Sequence, residues 1–318
     1  MRWLVVGIGD ITRRRVIPAI LEEPRSHLHG VVTRDLKKAE AYPGTAAWAT
    51  LDAALKDESI DAVYVASPVA LHASQTISAL KAGKHVLCEK PTALNYAEAQ
   101  AMAEAAKETG KLLGVSYYRR LYPKLIRAKE LVATWGVGQP LMAEANCQEW
   151  TERQERVWRW DPAVGGGGPL FDTASHRIDA MNFLFGKPER AMGLRSNAVQ
   201  EWPVEDSATV LIGYAGGVHA VVDVRWNSHV RRDQLRIIGT EGDIVLDPLN
   251  GSEIRVNGQV EEMPPHSNLH YPIVENFVAA VEDGVALACP IEEAIWTDWV
   301  TEQVVKSAKD SGFARMTD

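Results

Sequence analysis

The chain has 318 residues, of which 46 % are hydrophobic and 24 % charged, and a net charge of -8. Its length and composition point to two globular domains with sizeable cores, and the acidic balance argues against a nucleic-acid backbone as partner, which needs clustered Lys and Arg. Three scattered cysteines, Cys88, Cys147 and Cys289, suggest neither a disulfide framework nor a zinc site; with no signal-peptide pattern and no apolar run of membrane length, the expected compartment is the reducing cytoplasm.

From the N-terminus, apolar β-branched runs at 4–6, 30–33, 62–66, 86–88 and 112–115 alternate with helical patterns. Thr50 is placed to cap a helix over 51–56, with Asp52 in its first turn. Apolar residues recur at helical spacing over 70–82 and stop at Gly83, and the Ala-rich stretch 95–109 stops at Gly110. Strands alternating with helices predict a doubly wound parallel sheet over 1–120, with ligands at the carboxyl ends of the strands.

The pattern changes over 121–318. One helix is predicted over 124–134 and a second from Pro169, after four glycines, to Phe185. Strand-like runs follow at 208–214, 218–226, 234–238, 243–246 and 253–256, several separated by turn signals such as Gly216-Gly217 and Asn250-Gly251. Two helices, 273–282 and 291–309, close the chain. The fold class is α/β: an N-terminal doubly wound parallel sheet, then an α+β domain with a mostly antiparallel sheet and helices on one face. Tyr214, Val222, Val224 and Trp226 are expected to supply apolar surface on the other face for a homodimer or homotetramer. Trp296 and Trp299, three apart on the last helix, are expected in the core.

Gly7-Ile8-Gly9-Asp10-Ile11-Thr12 follows the first strand and opens a helix. Gly7 allows a tight turn, Gly9 lets a pyrophosphate approach the backbone, and the helix start presents N–H groups to phosphate. The third glycine of the usual fingerprint is replaced by Thr12. Arg13-Arg14-Arg15 decorates the same helix. The second strand ends Thr33-Arg34-Asp35, where NAD enzymes place an acid. Thr33 and Arg34 suit a 2′-phosphate, which favours NADP as cofactor, while Asp35 keeps NAD open.

These residues, together with three further stretches, resemble the glucose–fructose oxidoreductase/inositol dehydrogenase family, Gfo/Idh/MocA. The stretches are Ala66-Ser67-Pro68-Val69-Ala70-Leu71-His72, the segment from Ala82 to Pro91 ending Cys88-Glu89-Lys90-Pro91, and Trp158-Arg159 with the segment from Gly165 through Asp172, His176 and Asp179. The resemblance spans nearly the whole chain. It implies a Rossmann domain, a second domain with a large open sheet, and hydride transfer between NAD(P) and a carbinol or carbonyl carbon of a sugar, cyclitol or related polyol. It also implies that Ser67, Pro68, Leu71, His72, Glu89 and Lys90 line the cofactor with Gly7, Gly9, Asp10, Ile11 and Thr12. Trp158 and Arg159 would reach the nicotinamide side, and His270 stands where some relatives carry a cofactor-proximal Tyr. Ala174 replaces a common glycine between Asp172 and His176.

Moving hydride from an alcohol needs a base for the hydroxyl proton, and the reverse reaction needs an acid. Lys90 serves after its pKa is lowered, or holds the substrate oxygen as a cation. His176 titrates near neutrality. Asp172, four residues earlier on a predicted helix, shares its face and can orient the imidazole or bind a hydroxyl. Lys90, Asp172 and His176 are the candidate catalytic and substrate-binding groups; the choice of base between Lys90 and His176 stays open. Tyr117, Arg119 and Trp160 are further candidates for substrate contact, each equally suited to packing. Asp179 is read as structural, and no metal is expected. Two other readings remain: a reductase or dehydrogenase of a non-sugar diol or carbonyl, and a non-catalytic NAD(P)-binding sensor.

Overall fold

A computed structural model describes residues 1–152 and 158–309. Six strands form the first sheet: β1 (Arg2–Val6), β2 (His27–Val32), β3 (Ala46–Trp48), β4 (Ala62–Val65), β5 (His85–Cys88) and β6 (Leu113–Val115). Their order is β3-β2-β1-β4-β5-β6 and every pairing is parallel. β4 and β6 are buried at every position, as strands covered on both faces must be. β3 has only the three residues Ala-Ala-Trp, too few to show a pattern in the sequence.

The predicted helices lie close to their expected places, for the expected reasons. Thr50 Oγ1 accepts from Ala53 N, although the helix it caps is short, Leu51–Ala54. Helix Tyr96–Thr109 starts with a reciprocal cap: Asn95 Oδ1 accepts from Glu98 N, and Asn95 Nδ2 donates to Glu98 Oε1. It ends at Gly110, at φ 65°.

The chain folds as two compact units, Met1–Leu121 with His266–Ile295, and Tyr122–Pro265 with Trp296–Asp318. The first boundary falls one residue from the expected division at 120. The segment His266–Ile295 is the difference: it returns to the first unit. There Phe277 packs on Trp3 with ring centres 5.3 Å apart, and Val115 N donates to Cys289 O beside the edge strand β6. Local pattern cannot reveal such a return, because an amphipathic helix shows which face it buries but not against what.

The second unit holds an eight-stranded sheet: β7 (Pro140–Trp150), β8 (Pro188–Ser196), β9 (Ser207–Tyr214), β10 (His219–Arg225), β11 (Asn227–Gly239), β12 (Asp243–Leu246), β13 (Glu253–Val256) and β14 (Gln259–Glu262). The order is β14-β13-β12-β11-β7-β10-β9-β8, antiparallel except for β7 with β10. The central strand β7 is invisible to propensity, since Ala, Glu and Asn are poor strand formers. Only its alternation betrays it: Ala143, Ala145 and Cys147 are buried while Glu144, Asn146 and Gln148 are half-exposed.

Two expectations are corrected here. Tyr214, Val222, Val224 and Trp226 do not face outward: all four are buried on the helix-covered face, where Tyr214 Oη donates to Asn182 Oδ1 and Trp226 Nε1 to Thr173 Oγ1. The period-two rule puts the alternate residues on the open face, among them exposed Leu194 and Leu211 and half-buried Val221. Trp296 and Trp299, both expected in the core, are only half-buried; the helix buries Thr297, Asp298, Val300, Thr301 and Val304. Cys88, Cys147 and Cys289 are buried thiols. Among the described residues no helix is long and apolar enough to cross a membrane.

Candidate functional site

Four adjacent parallel strands deliver candidate residues to one edge of the first sheet. β1 leads into Gly7 and Gly9, β2 into Thr33 and Arg34, β4 into Ser67 and Pro68, and β5 into Glu89 and Lys90. The strand order reverses between β1 and β4, the place where doubly wound sheets bind ligands.

The two glycines differ in kind. Gly7 sits at φ 94°, and a Cβ there would stand 2.7 Å from Ala66 O, so the fold itself requires it. A Cβ on Gly9 would meet nothing within 4 Å. Packing leaves Gly9 unexplained, whereas space for a pyrophosphate explains it. The residues therefore fit a dinucleotide. Thr12 is buried, and its hydroxyl accepts from Gly9 N at 2.8 Å and donates to Gly9 O at 3.0 Å, which closes the turn internally where a third glycine would leave it open. Asp10 is exposed and pairs with Arg14 at 3.0 Å; Ile11 is half-buried.

At the end of β2, Thr33 Oγ1 bonds the backbone of Asp35 and Arg34 is exposed. The Asp35 carboxylate accepts from Lys37 N and caps the following 3₁₀ turn, Leu36–Ala41. The ends of β4 and β5 are braced together by His72, whose ring nitrogens lie 2.9 Å from Ser67 O and 2.9 Å from Pro91 O. His72 is buried, and burial lowers its pKa, against the two carbonyl contacts and the Glu89 charge, which raise it. Leu71 is exposed beside it.

Below Lys90 lies a buried polar network that joins the returning segment to β4 and β5. Glu89 Oε1 accepts from Tyr64 Oη at 2.7 Å and lies 3.2 Å from His270 Nε2, and Glu89 Oε2 accepts from Lys90 N at 3.1 Å. Tyr64 Oη also bonds Ser116 Oγ at 3.0 Å. Burial alone would raise the Glu89 carboxyl. The bond and charge of His270, the Tyr64 phenol and the Lys90 charge outweigh burial and hold it below the ordinary carboxylate range. Burial and the Glu89 charge push the Tyr64 phenol well up. His270 is fully buried and stacks against Tyr118 with ring centres 4.5 Å apart. Its Nε2 faces the Glu89 carboxylate, one residue before Lys90. Lys90 itself is half-exposed. Tyr117 is fully buried in the hydrophobic core, and Arg119 is buried with its guanidinium 5.1 Å from the Tyr118 ring centre.

In the second unit, the segment after Pro169 begins as a wide π-type turn, Leu170–Ala174, and continues as the α-helix Ser175–Phe185. Asp172 lies in the wide turn, half-buried. His176 lies in the first α-turn, buried. The four glycines before them are set by close approach. A Cβ on Gly165 would stand 3.1 Å from the Arg159 backbone, on Gly167 2.4 Å from the Phe171 ring, and on Gly168 2.0 Å from Glu205 O. Sheet side chains then hold the helix. Trp226 Nε1 donates to Thr173 Oγ1, and Arg177 Nη2 pairs with Asp233 Oδ1 at 2.6 Å while Nη1 donates to Thr173 O. Asp179 is buried; burial, with the Asp179 charge adding, pushes the Tyr214 phenol well up.

Trp158 and Arg159 are exposed, with the Arg159 guanidinium 5.6 Å from the Trp158 ring centre. Trp160 is buried in a tryptophan cluster, its ring centre 4.4 Å from that of Trp202 and 5.5 Å from that of Trp226. Sequence reasoning missed Tyr64, Ser116, Arg177, Glu205 and Asp233. Tyr64 left one signal, a hydroxyl inside a wholly apolar strand, which must find a partner when buried.

Comparison with known proteins gives these positions a context. Residues 1–117 match the GFO/IDH/MocA oxidoreductase family, NAD-binding Rossmann fold, and residues 125–245 match the GFO/IDH/MocA C-terminal domain. A 1,5-anhydro-D-fructose reductase of Ensifer adhaerens is 27 % identical over 96 % of this chain and 96 % of its own. A trans-1,2-dihydrobenzene-1,2-diol dehydrogenase of Mus musculus is 28 % identical over 83 % of this chain and 80 % of its own. The solved structure of a levoglucosan dehydrogenase in complex with NADH and levoglucosan superposes with a TM-score of 0.90, covering 98 % of both chains at 20 % identity, a likeness of fold.

Proposed function

We propose a reaction from one premise: the chain belongs to the GFO/IDH/MocA oxidoreductase family, and is an oxidoreductase with that family's NAD-binding Rossmann fold. The reaction is hydride transfer between NADP and a carbinol or carbonyl carbon of a sugar, cyclitol or related polyol. The observation that carries it is the gathering of Gly7 and Gly9, Thr33 and Arg34, Ser67 and Pro68, and Glu89 and Lys90 at the carboxyl ends of four adjacent parallel strands. The open space at Gly9 is where the pyrophosphate belongs. The relatives' names support a sugar or diol substrate.

The nicotinamide ring, when bound, supplies or accepts the hydride. This chain's own residues do the rest. Lys90 extends from a loop held by Glu89 and His72 and donates to the substrate oxygen. His176 moves the hydroxyl proton, and Asp172, one turn earlier, orients the imidazole or takes a neighbouring hydroxyl. Trp158 and Arg159 contact the nicotinamide side. Buried His270 acts through Glu89.

NADP is preferred over NAD because Arg34 is exposed at the end of β2 while Asp35 is engaged as a cap. The open face of the second sheet, with Leu194, Leu211 and Val221, is the surface we assign to a homo-oligomer contact. Three buried thiols suit the cytoplasm.

The test is a panel of sugars, cyclitols, ketoses and non-sugar diols with both cofactors, followed at the absorbance of the reduced nicotinamide. Turnover is expected with NADP. His176→Ala and Lys90→Ala should each lower it by about 10²- to 10⁴-fold while the cofactor still binds. Near-normal turnover in both variants overturns the mechanism, and binding without turnover across the panel favours a sensor. Arg34→Asp should raise the KM for NADP far more than that for NAD; equal effects defeat the cofactor assignment.

A further inference from the structure

Two adjacent acids, Glu205 and Asp206, are buried just before β9, and the reading above uses neither. Asp206 serves its own neighbourhood: its Oδ2 accepts from Val199 N at 2.8 Å and Gln200 N at 2.9 Å, and its Oδ1 from Asn227 Nδ2 at 2.9 Å. Glu205 reaches the glycine loop. A single oxygen, Oε1, accepts from Gly168 N at 2.9 Å and Leu170 N at 3.1 Å, and Oε2 lies 3.7 Å from Arg195 Nη1. Those two N–H groups flank Pro169, where the chain turns into the segment carrying Asp172 and His176.

The loop needs fixing from outside. Glycines cost more conformational entropy to order than any other residue, and three precede Gly168. Gly166 and Gly167 also line a cavity of about 320 Å³, shared with Arg195, Asn197 and Glu205, so close packing is absent on that side. Burial holds the Glu205 carboxyl above its ordinary range despite Arg195 and the two N–H donors. An ionised form that folding disfavours, kept beside a reactive segment, is a mark of function more than of stability.

We propose that Glu205 is a positioning residue for proton transfer: its carboxylate ties Gly168 N and Leu170 N and thereby sets the direction in which Asp172 and His176 present their side chains. The inference rests on the assignment of His176 to proton transfer. Two bonds to one oxygen hold the start of the turn in place. Cutting both lets the turn shift towards the cavity, and a displacement of ~1 Å at a reacting group costs about 10² in rate.

The test compares Glu205→Gln, Glu205→Asp and Glu205→Ala by kcat, cofactor KM, thermal melting and amide hydrogen exchange at Gly168 and Leu170, with His176→Ala alongside. Gln keeps an acceptor oxygen at the same reach, and its kcat should stay within about threefold of the parent. Asp, one methylene shorter, and Ala should each lose about 10²-fold in kcat with cofactor KM unchanged and faster exchange at both amides. If Ala does not fold, the Gln and Asp pair decides. Parent-like kcat in a folded Asp or Ala variant, or exchange that does not change, overturns the proposal. His176→Ala with normal turnover instead overturns the assignment on which it rests, whatever the exchange shows.

Discussion

The two sheets place reactive groups by different means. In the first, topology does it: parallel strands all end on one edge, so four separate loops bring Gly9, Arg34, Ser67 and Lys90 to the same side. In the second, mostly antiparallel pairing sends strand ends both ways and divides the loops between two edges. Asp172 and His176 instead share one helical segment, which Asp233 of β11 ties down together with Glu205 and Trp226 from the strand ends. A parallel sheet builds a site from backbone geometry, whereas the antiparallel sheet relies on particular side chains. Damage to the second should therefore follow single residues, and damage to the first should follow backbone conformation.

The largest stability effect that separates these two modes is expected at Arg177. Arg177→Met leaves the Asp233 carboxylate without its buried cation and should cost about 3 kcal/mol in chemical denaturation, with cofactor affinity unchanged. An effect under about 0.5 kcal/mol, the range of ordinary surface changes, would show that packing alone holds the helix.

The glycines of the first turn test backbone geometry. Gly7→Ala introduces strain at φ 94° and a 2.7 Å approach to Ala66 O, and should destabilise by about 1–3 kcal/mol. Gly9→Ala should leave the melting temperature unchanged and weaken cofactor binding about tenfold, or about 1.4 kcal/mol, by titration calorimetry. If Gly9→Ala instead melts early and binds normally, the open space at that turn has no ligand to explain it.

Thr173→Val keeps the shape of the side chain but removes the acceptor for Trp226 Nε1, and should cost about 1 kcal/mol. The smallest effect is a pH dependence in the first unit. The Glu89 carboxyl lies below its ordinary range in the fold, so its ionised form adds stability that is full above the unfolded value of about 4.3 and is lost as pH falls through the folded value. The melting gap between the parent and Glu89→Gln should be a few degrees at pH 6–7 and should close on acidification below about pH 4. A gap that widens in acid would mean that Glu89 is held protonated.

How much was legible follows the same divide. The first sheet announced itself through apolar β-branched runs and helix stops such as Gly83 and Gly110. The second hid its central strand, because Ala143, Ala145 and Cys147 fill the buried positions of β7 without the β-branched residues that mark strands. The face assigned to Tyr214, Val222, Val224 and Trp226 was the wrong one, because alternation separates two faces without saying which of them meets the helices. The tether from Glu205 to the glycine loop spans 35 and 37 residues and leaves no periodic trace.

By itself, the sequence determined the alternation of strands and helices in the first sheet, the turn chemistry at Gly7 and the spacing that puts Asp172 and His176 one turn apart, since these depend on neighbours within a few residues. Tertiary structure alone decided that 266–295 returns to the first unit, that His270 reaches Glu89 and not open space, and that a buried carboxylate holds the glycine loop. Such interactions form only when distant segments exclude water together, and the pairing of distant segments is not written in any local pattern.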